Sequence, residues 1–313
     1  MRTMIVFNPA AGQMRRRRQV DEVVQFLAEQ GWAVDLRVTE KQGDATRYAR
    51  EAVERHYDMV VAAGGDGTNN EAINGDLVGS DVVFGLLPMG TTNVFALELG
   101  IPLTGPLSPR PVLDAARVLI DGRVRRIDVG MAGERHFLLM GGVGWDAEVG
   151  AHVQREHKRW FGPLAYIPAG FKAAQTFAGT RVTVKLDGET IRRRAVMITV
   201  NNTRLYAGVL QMAPKACLDD GLLDVCIFQG KNVTQAFFSY IWSVMARRHI
   251  YDPRVQYHQA RHITIQAARR VPVHVDDEPL GHTPVEFTVA PRALRVILPQ
   301  TIPADLLLHQ DEA

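Results

Sequence analysis

Two spacings of apolar residues alternate along the first third of the chain. Met59–Ala63 and Val82–Leu87 are short, uninterrupted apolar runs, which predict strands buried on both faces. Between such runs, apolar residues recur at helical spacing. This strand–helix alternation predicts a parallel sheet covered by helices on both sides, a three-layer α/β domain. The predicted strands are Thr3–Phe7, Trp32–Val38, Met59–Ala63 and Val82–Leu87, and the predicted helices are Arg17–Gln30, Asp44–His56 and Pro111–Asp121.

The pattern then changes to short strand-like runs separated by turn residues, which is typical of a mainly-β domain. We therefore predict an α/β domain over residues 1–126, rejoined by residues 300–313, and a mainly-β, β-sandwich-like domain over residues 127–299. Two helices are predicted within the second domain, at Trp160–Thr176 and Val233–Arg248. The predicted strands of the second domain are Phe137–Met140, Arg181–Leu186, Ala195–Val200, Leu222–Phe228, His262–Gln266, Val271–Val275 and Leu294–Leu298.

Composition narrows the class of protein. The 313 residues are 46% hydrophobic and 22% charged, which excludes a disordered chain. The 36 basic and 34 acidic residues give a net charge of +2, so we expect no nucleic-acid partner. Cys217 and Cys226 form no CxxC pair and indicate free thiols in a reducing compartment. Because no apolar run reaches about 20 residues, we expect no transmembrane segment and a cytoplasmic location, with peripheral contact at the inner membrane face left open.

The stretch Gly64–Glu71 reads GGDGTNNE and joins a buried strand to a predicted helix. Glycines at such a junction allow the backbone to come close to a ligand and to adopt angles closed to other residues. The helix that follows offers unpaired N–H groups and a positive dipole end, both suited to phosphate. The alternative is a tight turn, which this number of glycines in this context makes the weaker interpretation.

Two further loops follow strands of the same predicted sheet. Asn8–Gly12 follows the first strand, and Pro88–Asn93 follows the fourth. Each loop alone is equally well explained as an ordinary turn, but three at one sheet edge favour a nucleotide-binding cleft. The chain has no GxxxxGK[ST] motif, and Asn70 stands where a dinucleotide fingerprint would have its third glycine.

The order NPxxG, GGDGTxNE and PxGTxN resembles the diacylglycerol kinase catalytic-domain family. Within it, the chain is most similar to bacterial lipid kinases related to sphingosine and ceramide kinases, and more distantly to NAD kinases. Residues 212–225 (MAPKACLDDGLLDV) are similar to the family's aPxAxxdDGlLdv segment, and Val275–Pro279 is similar to its DGEP segment. The resemblance covers nearly the whole chain in the family's order.

The resemblance implies ATP-dependent transfer of the γ-phosphate to a lipid hydroxyl, most directly diacylglycerol to give phosphatidic acid. It implies that Asp276 is the base that accepts the hydroxyl proton. It also implies a structural Mg²⁺ held by Asp220 and the carbonyls of Cys217 and Leu222, and places Asp66 near the triphosphate and its magnesium. The residues implied to contact ATP are Asn8, Pro9, Ala10, Ala11, Gly12, Thr39, Gly64, Gly65, Asp66, Gly67, Thr68, Asn69, Asn70 and Thr91.

Three positions depart from the family pattern. Asn69 replaces an aliphatic residue, Val94 stands where aspartate often follows GTxN, and Asp277 replaces the glycine of DGE. The last change leaves Asp277 as an alternative base. Asp-Asp-Glu-Pro is also good hairpin-turn chemistry, and the acidic segment before Leu222 equally predicts an ordinary turn.

The expected partner is a membrane lipid reached by peripheral contact. Trp160–Pro168 combines aromatic and apolar residues with flanking basic ones, so membrane contact and core packing are equally good interpretations. For Phe237–Trp242 we favour core packing, and for Arg15–Arg18 a solvated helix face. The oligomeric state is open, with a homodimer as one alternative.

Two other functions remain in competition. An NAD kinase-like enzyme would share the GGDGT loop and the two-domain plan, but the PxGTxN, DDGLLDV and DDEP segments favour the lipid kinases. A catalytically impaired nucleotide-binding protein is the second alternative, because of the changes at Val94 and Asp277.

Overall fold

A computed structural model of the chain divides into two compact units. The first unit comprises Met1–Val129 and Pro291–Ala313, and the second comprises Gly130–Ala290. The structure describes residues 1–9, 13–103, 110–145, 147, 178–208, 210–231, 240, 242–303 and 305–309.

The first unit is a three-layer α/β domain built on a parallel sheet. Its strand order is β17-β4-β3-β1-β2, with every neighbouring pair parallel. Helices α1 and α5 pack together, α2 packs with α3, and β3 and β4 are buried along their whole length. The elements are β1 (Arg2–Phe7), α1 (Gln13–Glu29), β2 (Ala33–Val38), α2 (Asp44–Glu54), β3 (Met59–Gly64), α3 (Asp66–Ile73), β4 (Val83–Pro88), α4 (Val94–Glu98), α5 (Pro111–Asp121), the start of β5 (Arg123–Ala132) and the end of β17 (Val285–Leu298).

This strand order places a change of direction between β1 and β3. The chain moves from β1 outward to β2, then returns past β1 to β3 and β4. Loops that leave the carboxyl ends of two such neighbouring strands diverge, and open α/β sheets bind ligands at that point. The loops after β1 and β3 are the two that carry NPxxG and GGDGT.

The second unit is mainly β. Its long strand β9 pairs with β8 along its first half, and with both β7 and β12 along its second half. Buried side chains of these strands form one large core, in which the rings of Phe137 and Phe287 meet edge to face. The elements are β6 (Arg135–Phe137), β7 (Met140–Gly144), β8 (Thr180–Leu186), β9 (Glu189–Asn201), β10 (Leu205–Tyr206), β11 (Leu210–Gln211), β12 (Leu223–Gln229), a 3-10 helix (His249–Tyr251), β13 (Val255–Ala260), β14 (His262–Ala267), β15 (Pro272–Val275) and β16 (Glu278–His282).

The observed fold class agrees with the sequence prediction, but two details differ. The units divide at Val129/Gly130 and at Ala290/Pro291, whereas the predicted boundaries were 126/127 and 299/300. Both observed boundaries fall inside continuous strands, so no turn marks them in the sequence. The single strand predicted over Phe137–Met140 is wrong, because residues 138 and 139 separate β6 from β7.

The helix predicted at Trp160–Thr176 lies outside the described residues, and so do residues 233–239 and 241 of the one predicted at Val233–Arg248. Of the latter, residues 242–245 are helical. Within the described part of the chain, no helix combines the length and apolar character needed to cross a bilayer.

Candidate functional site

Hydrogen bonds link the three glycine-containing loops at the carboxyl edge of the first unit's sheet. The Asn8 side-chain amide donates to the Thr68 hydroxyl over 3.1 Å, which joins the loop after β1 to α3. The backbone N–H groups of Met89 and Gly90 both donate to the Gly64 carbonyl, at 2.8 and 3.1 Å. The three loops therefore form one connected edge.

Close contact between loops explains why two of these positions are glycine. A Cβ added to Gly90 would lie 2.5 Å from the Gly65 Cα, and one added to Gly64 would lie 2.3 Å from the Thr68 hydroxyl oxygen. Gly65 itself has an extended backbone, with φ −104° and ψ −172°. The sequence-based expectation of backbone angles closed to other residues is therefore wrong for Gly65, where close approach to Gly90 is the reason for the glycine.

Gly67 is different, because a Cβ added there would meet no atom within 4 Å. It is the second residue of α3, and it is exposed. The residue before α3, Gly65, makes no side-chain cap hydrogen bond. The N-terminus of α3 thus combines a positive dipole end with open space at Gly67, which suits an anionic ligand.

Asp66 uses its carboxylate to hold the next helix. Its two oxygens accept the backbone N–H groups of Val94 at 2.9 Å and Phe95 at 3.1 Å. These groups open α4, whose preceding residue, Asn93, has a left-handed backbone and offers no side-chain cap to α4. Asp66 therefore fixes α4 against the GGDGT loop. Val94, which stands where the family often has aspartate, is buried at the start of α4.

The other predicted ATP contacts fall into two groups. Thr39, at the carboxyl end of β2, and the exposed Thr91 lie on loops of the same sheet edge. Asn69 and Asn70 are buried in α3, so their side chains face the interior of the unit. Pro9 is partly buried, while Ala10, Ala11 and Gly12 lie outside the described residues.

Asp276 lies in the second unit at the first position of a tight turn. Its carboxylate accepts three backbone N–H groups, from Leu138 at 2.8 Å, Leu139 at 2.9 Å and Met140 at 3.0 Å. The side chain is only 7% exposed. These bonds anchor the β15–β16 turn to the segment between β6 and β7, which points to a positioning role. The base role implied for Asp276 by the resemblance stays a prediction.

The turn itself explains the Asp277 departure. Val275 and Glu278 are paired across a two-residue hairpin, and Asp276 and Asp277 have φ of 46° and 67°. Hairpins of this kind need two left-handed residues, and glycine meets that need most easily at the second position. The hairpin-turn interpretation is thus confirmed. Directly after the turn, Glu278 places a partly buried carboxylate at the start of β16. Glu278 is not among the site residues predicted from the sequence.

The turn implied to hold Mg²⁺ has the oxygen chemistry of a hard cation site. The Asp220 carboxylate accepts the Leu222 N–H at 3.0 Å, and burial, with a further contribution from the Asp219 charge, raises the pKa of Asp220. Burial raises the pKa of the Cys217 thiol to about 12, so Cys217 offers its carbonyl rather than a thiolate. Among the described residues no three His, Cys, Asp or Glu side chains group around a metal position, so the ligand set stays a prediction.

Asp224 is a buried acid for which the sequence favours support of a strand or loop over metal binding. Its carboxylate accepts the Tyr257 hydroxyl, and the Gln259 side-chain amide lies at 3.5 Å. Burial raises the pKa of Asp224 to about 6. Because the folded state holds this proton more tightly than the unfolded chain, Asp224 lowers the free energy of unfolding as pH rises from about 4 to about 6.

We expect Asp224→Asn to remove that pH dependence. The raised pKa of Asp224 corresponds to a decrease in the free energy of unfolding on the order of 3 kcal/mol above pH 6. A neutral asparagine amide causes no such decrease. Urea unfolding across this pH range measures the difference between variant and wild type. Asp81→Asn, at an exposed carboxylate, is the control and should leave the slope unchanged. If the free energy of unfolding of Asp224→Asn fell with pH as steeply as that of the wild type, Asp224 would not be the source of the pH dependence.

A parallel α/β unit with glycine-containing loops at the change of strand direction, followed by a β unit, defines a two-domain nucleotide-binding protein. The diacylglycerol kinase catalytic domain model matches residues 2–132. The model of the YegS C-terminal NAD kinase beta sandwich-like domain matches residues 141–298. The chain belongs to the diacylglycerol kinase family and is a kinase, and family membership implies that it uses ATP.

Similar proteins match over essentially their whole length. The diacylglycerol kinase of Bacillus subtilis (strain 168) is 30% identical, over 96% of this chain and 97% of its own length. That of Staphylococcus carnosus (strain TM300) is 29% identical, over 99% of each chain. The crystal structure of a diacylglycerol kinase from Bacillus anthracis str. Sterne has a TM-score of 0.74 with 24% identity, covers 98% of each chain and shows the same fold.

Proposed function

We propose that the protein transfers the γ-phosphate of ATP to a hydroxyl of a membrane lipid, with diacylglycerol as acceptor and phosphatidic acid as product. The observation that carries the proposal is the connected loop edge at the β1–β3 change of direction. Full-length similarity to proteins named diacylglycerol kinase supports the choice of acceptor.

In this proposal the loop edge binds the ATP phosphates. Phosphoryl transfer requires mainly that the phosphates and the acceptor are positioned and that developing negative charge is offset. Backbone N–H groups at the N-terminus of α3 contribute to both requirements, and Gly67 leaves room for the phosphate oxygens. The bonds from Asp66 to α4 and from Asn8 to Thr68 keep the loops in place.

Glu278 is the carboxylate that we assign to the lipid hydroxyl. Asp276 is engaged by three backbone N–H groups, and Asp277 is exposed at the second position of the turn. Glu278 is partly buried and begins a strand, and side chains on strands are held more firmly than those on loops. In this proposal the Glu278 carboxylate accepts the hydroxyl proton as the hydroxyl oxygen attacks the γ-phosphate.

In this proposal two groups of residues would hold Mg²⁺. Bound with ATP, it supplies positive charge that offsets the charge developing on the phosphates. Asp66 is the acidic side chain of the GGDGT loop. In the second unit, Asp220 and the carbonyls of Cys217 and Leu222 would hold a structural ion, and burial next to Asp219 makes a neutralising cation favourable there.

Incubation with γ-labelled ATP, Mg²⁺ and mixed micelles of candidate lipids tests the proposal, with NAD in a parallel reaction. We expect label in phosphatidic acid when diacylglycerol is present. Label only in NADP would show the NAD kinase-like alternative. ATP binding without transfer to any acceptor would show the catalytically impaired one.

A further inference from the structure

Four basic side chains share the outer face of the sheet in the second unit. Arg181 and Arg194 lie directly opposite each other on β8 and β9, Arg192 lies opposite Thr183, and Lys185 lies opposite Thr190. All four are exposed, while Val182, Val184 and Ile191, which alternate with them, are buried in the core. We call Arg181, Lys185, Arg192 and Arg194 the arginine face.

The arginine face lacks the acidic partners found at other surface arginines. Among the described residues no carboxylate forms an ion pair with any of its four members, and Arg194 donates only to the Gly179 carbonyl. By contrast, Arg50 and Arg117 in the first unit pair with carboxylates at 2.8 and 2.6 Å. Like charges directly opposite each other destabilise a sheet, so fold stability does not explain the arrangement.

A segment with exposed apolar residues packs against β9. Arg194 and Val196 are two residues apart on β9, so their side chains point to the same side of the strand. Val196 packs there in a small buried cluster with Tyr240 and Val244. Trp242 and Met245 come from the same segment but are 70% and 58% exposed. The core packing favoured for Phe237–Trp242 is therefore confirmed for Tyr240 and wrong for Trp242, and residues 237–239 and 241 lie outside the described residues.

We propose that the arginine face and the exposed Trp242 and Met245 dock onto a lipid bilayer surface that carries acidic phospholipids. This proposal rests on the proposed function, because it gives a lipid kinase its contact with the membrane that holds its substrate.

Charge and apolar character both match this partner. Acidic headgroups attract each basic side chain near the surface by about 1 kcal/mol, and their negative charge is spread over an area, as the arginine face is. Tryptophan is favoured at the boundary between headgroups and acyl chains. Arg247 and Arg248, both exposed, follow Met245 after one alanine and give the segment basic character.

Flotation with vesicles tests the proposal. Wild-type protein should bind phosphatidylcholine vesicles that contain phosphatidylglycerol and should bind pure phosphatidylcholine vesicles weakly. Arg181→Gln/Arg192→Gln/Arg194→Gln should lower binding to the anionic vesicles by roughly 100-fold, and Trp242→Ser should lower it by roughly 10-fold. Arg50→Gln/Arg55→Gln/Arg117→Gln changes the net charge equally on the first unit and should bind like the wild type.

Binding of the arginine-face variant at the wild-type level would overturn the proposal. So would competition by inorganic phosphate at constant ionic strength, which would indicate a site for free anions, or dissociation of a dimer by Trp242→Ser, which would indicate contact with a second copy. Activity on a water-soluble, short-chain diacylglycerol separates this proposal from the proposed function. We expect the arginine-face variant to keep that activity, whereas its absence in the wild type would contradict the proposed function alone.

Discussion

Replacing Asp276 by asparagine is expected to lower the free energy of unfolding by about 3 kcal/mol. The substitution removes the charged carboxylate, whose oxygens accept three backbone N–H groups. The amide nitrogen of the new asparagine must face at least one of these N–H donors. Because the side chain is buried, water cannot replace the lost acceptor. Kinase activity should fall together with stability, as measured by urea unfolding and turnover on the same preparation.

Two neighbouring substitutions separate this positioning role from catalysis. Asp277→Gly should raise stability by about 1 kcal/mol, because glycine adopts the left-handed backbone at φ 67° without strain, and turnover should persist. Glu278→Gln should fold like the wild type and bind ATP, but lose turnover. If Asp276→Asn instead folds with wild-type stability and lacks turnover while Glu278→Gln stays active, Asp276 is the base.

Replacing Gly90 by valine is expected to separate the three loops of the first unit. The new Cβ would lie 2.5 Å from the Gly65 Cα and 2.7 Å from the Asn93 side-chain oxygen, so the backbone must move. Such overpacking costs about 2–3 kcal/mol. A shift of about 1 Å in a loop that positions substrate lowers turnover by roughly 100-fold. Unfolding by urea and lipid-kinase turnover measure the two effects.

Gly67→Val is the matched control for stability. A Cβ added at Gly67 meets no atom within 4 Å, and valine is at least as good a helix residue as glycine. Its free energy of unfolding should stay at the wild-type level or rise slightly. Equal destabilisation by both substitutions would show that the contact between Gly65 and Gly90 is not what holds the loops together.

The sequence predicted the first unit well because its signals are local. Uninterrupted apolar runs such as Met59–Ala63 identify buried strands, and their order with helices implies the parallel sheet. The carboxyl ends of parallel strands share one edge, so the strand order alone predicts that the loops after β1, β3 and β4 lie together. Helix α4 and strand β5 were not predicted, and β17 begins nine residues before the predicted strand Leu294–Leu298. The other elements with predicted bounds in this unit match those bounds to within four residues, since turn residues mark their ends.

The features that the sequence did not predict depend on contacts between distant residues. The apolar run Phe137–Met140 looks like a strand, yet the carboxylate of Asp276, more than 130 residues away, holds its backbone in a turn. Helix α4 begins where Asp66, 28 residues earlier in the chain, accepts its first N–H groups. No local pattern encodes these pairings, and the same limit explains why Asp276 was selected from its motif and Glu278 was not.

Affinity for ATP in the Gly67→Val variant tests the central claim, that the N-terminus of α3 binds the ATP phosphates, most directly. Valine there fills open space without disturbing the fold, so any loss reports on the ligand rather than on stability. Titration calorimetry should show ATP affinity lowered at least about 10-fold, with the urea midpoint unchanged. Wild-type affinity for ATP in a correctly folded Gly67→Val protein would contradict the claim, because the phosphates would then lie elsewhere.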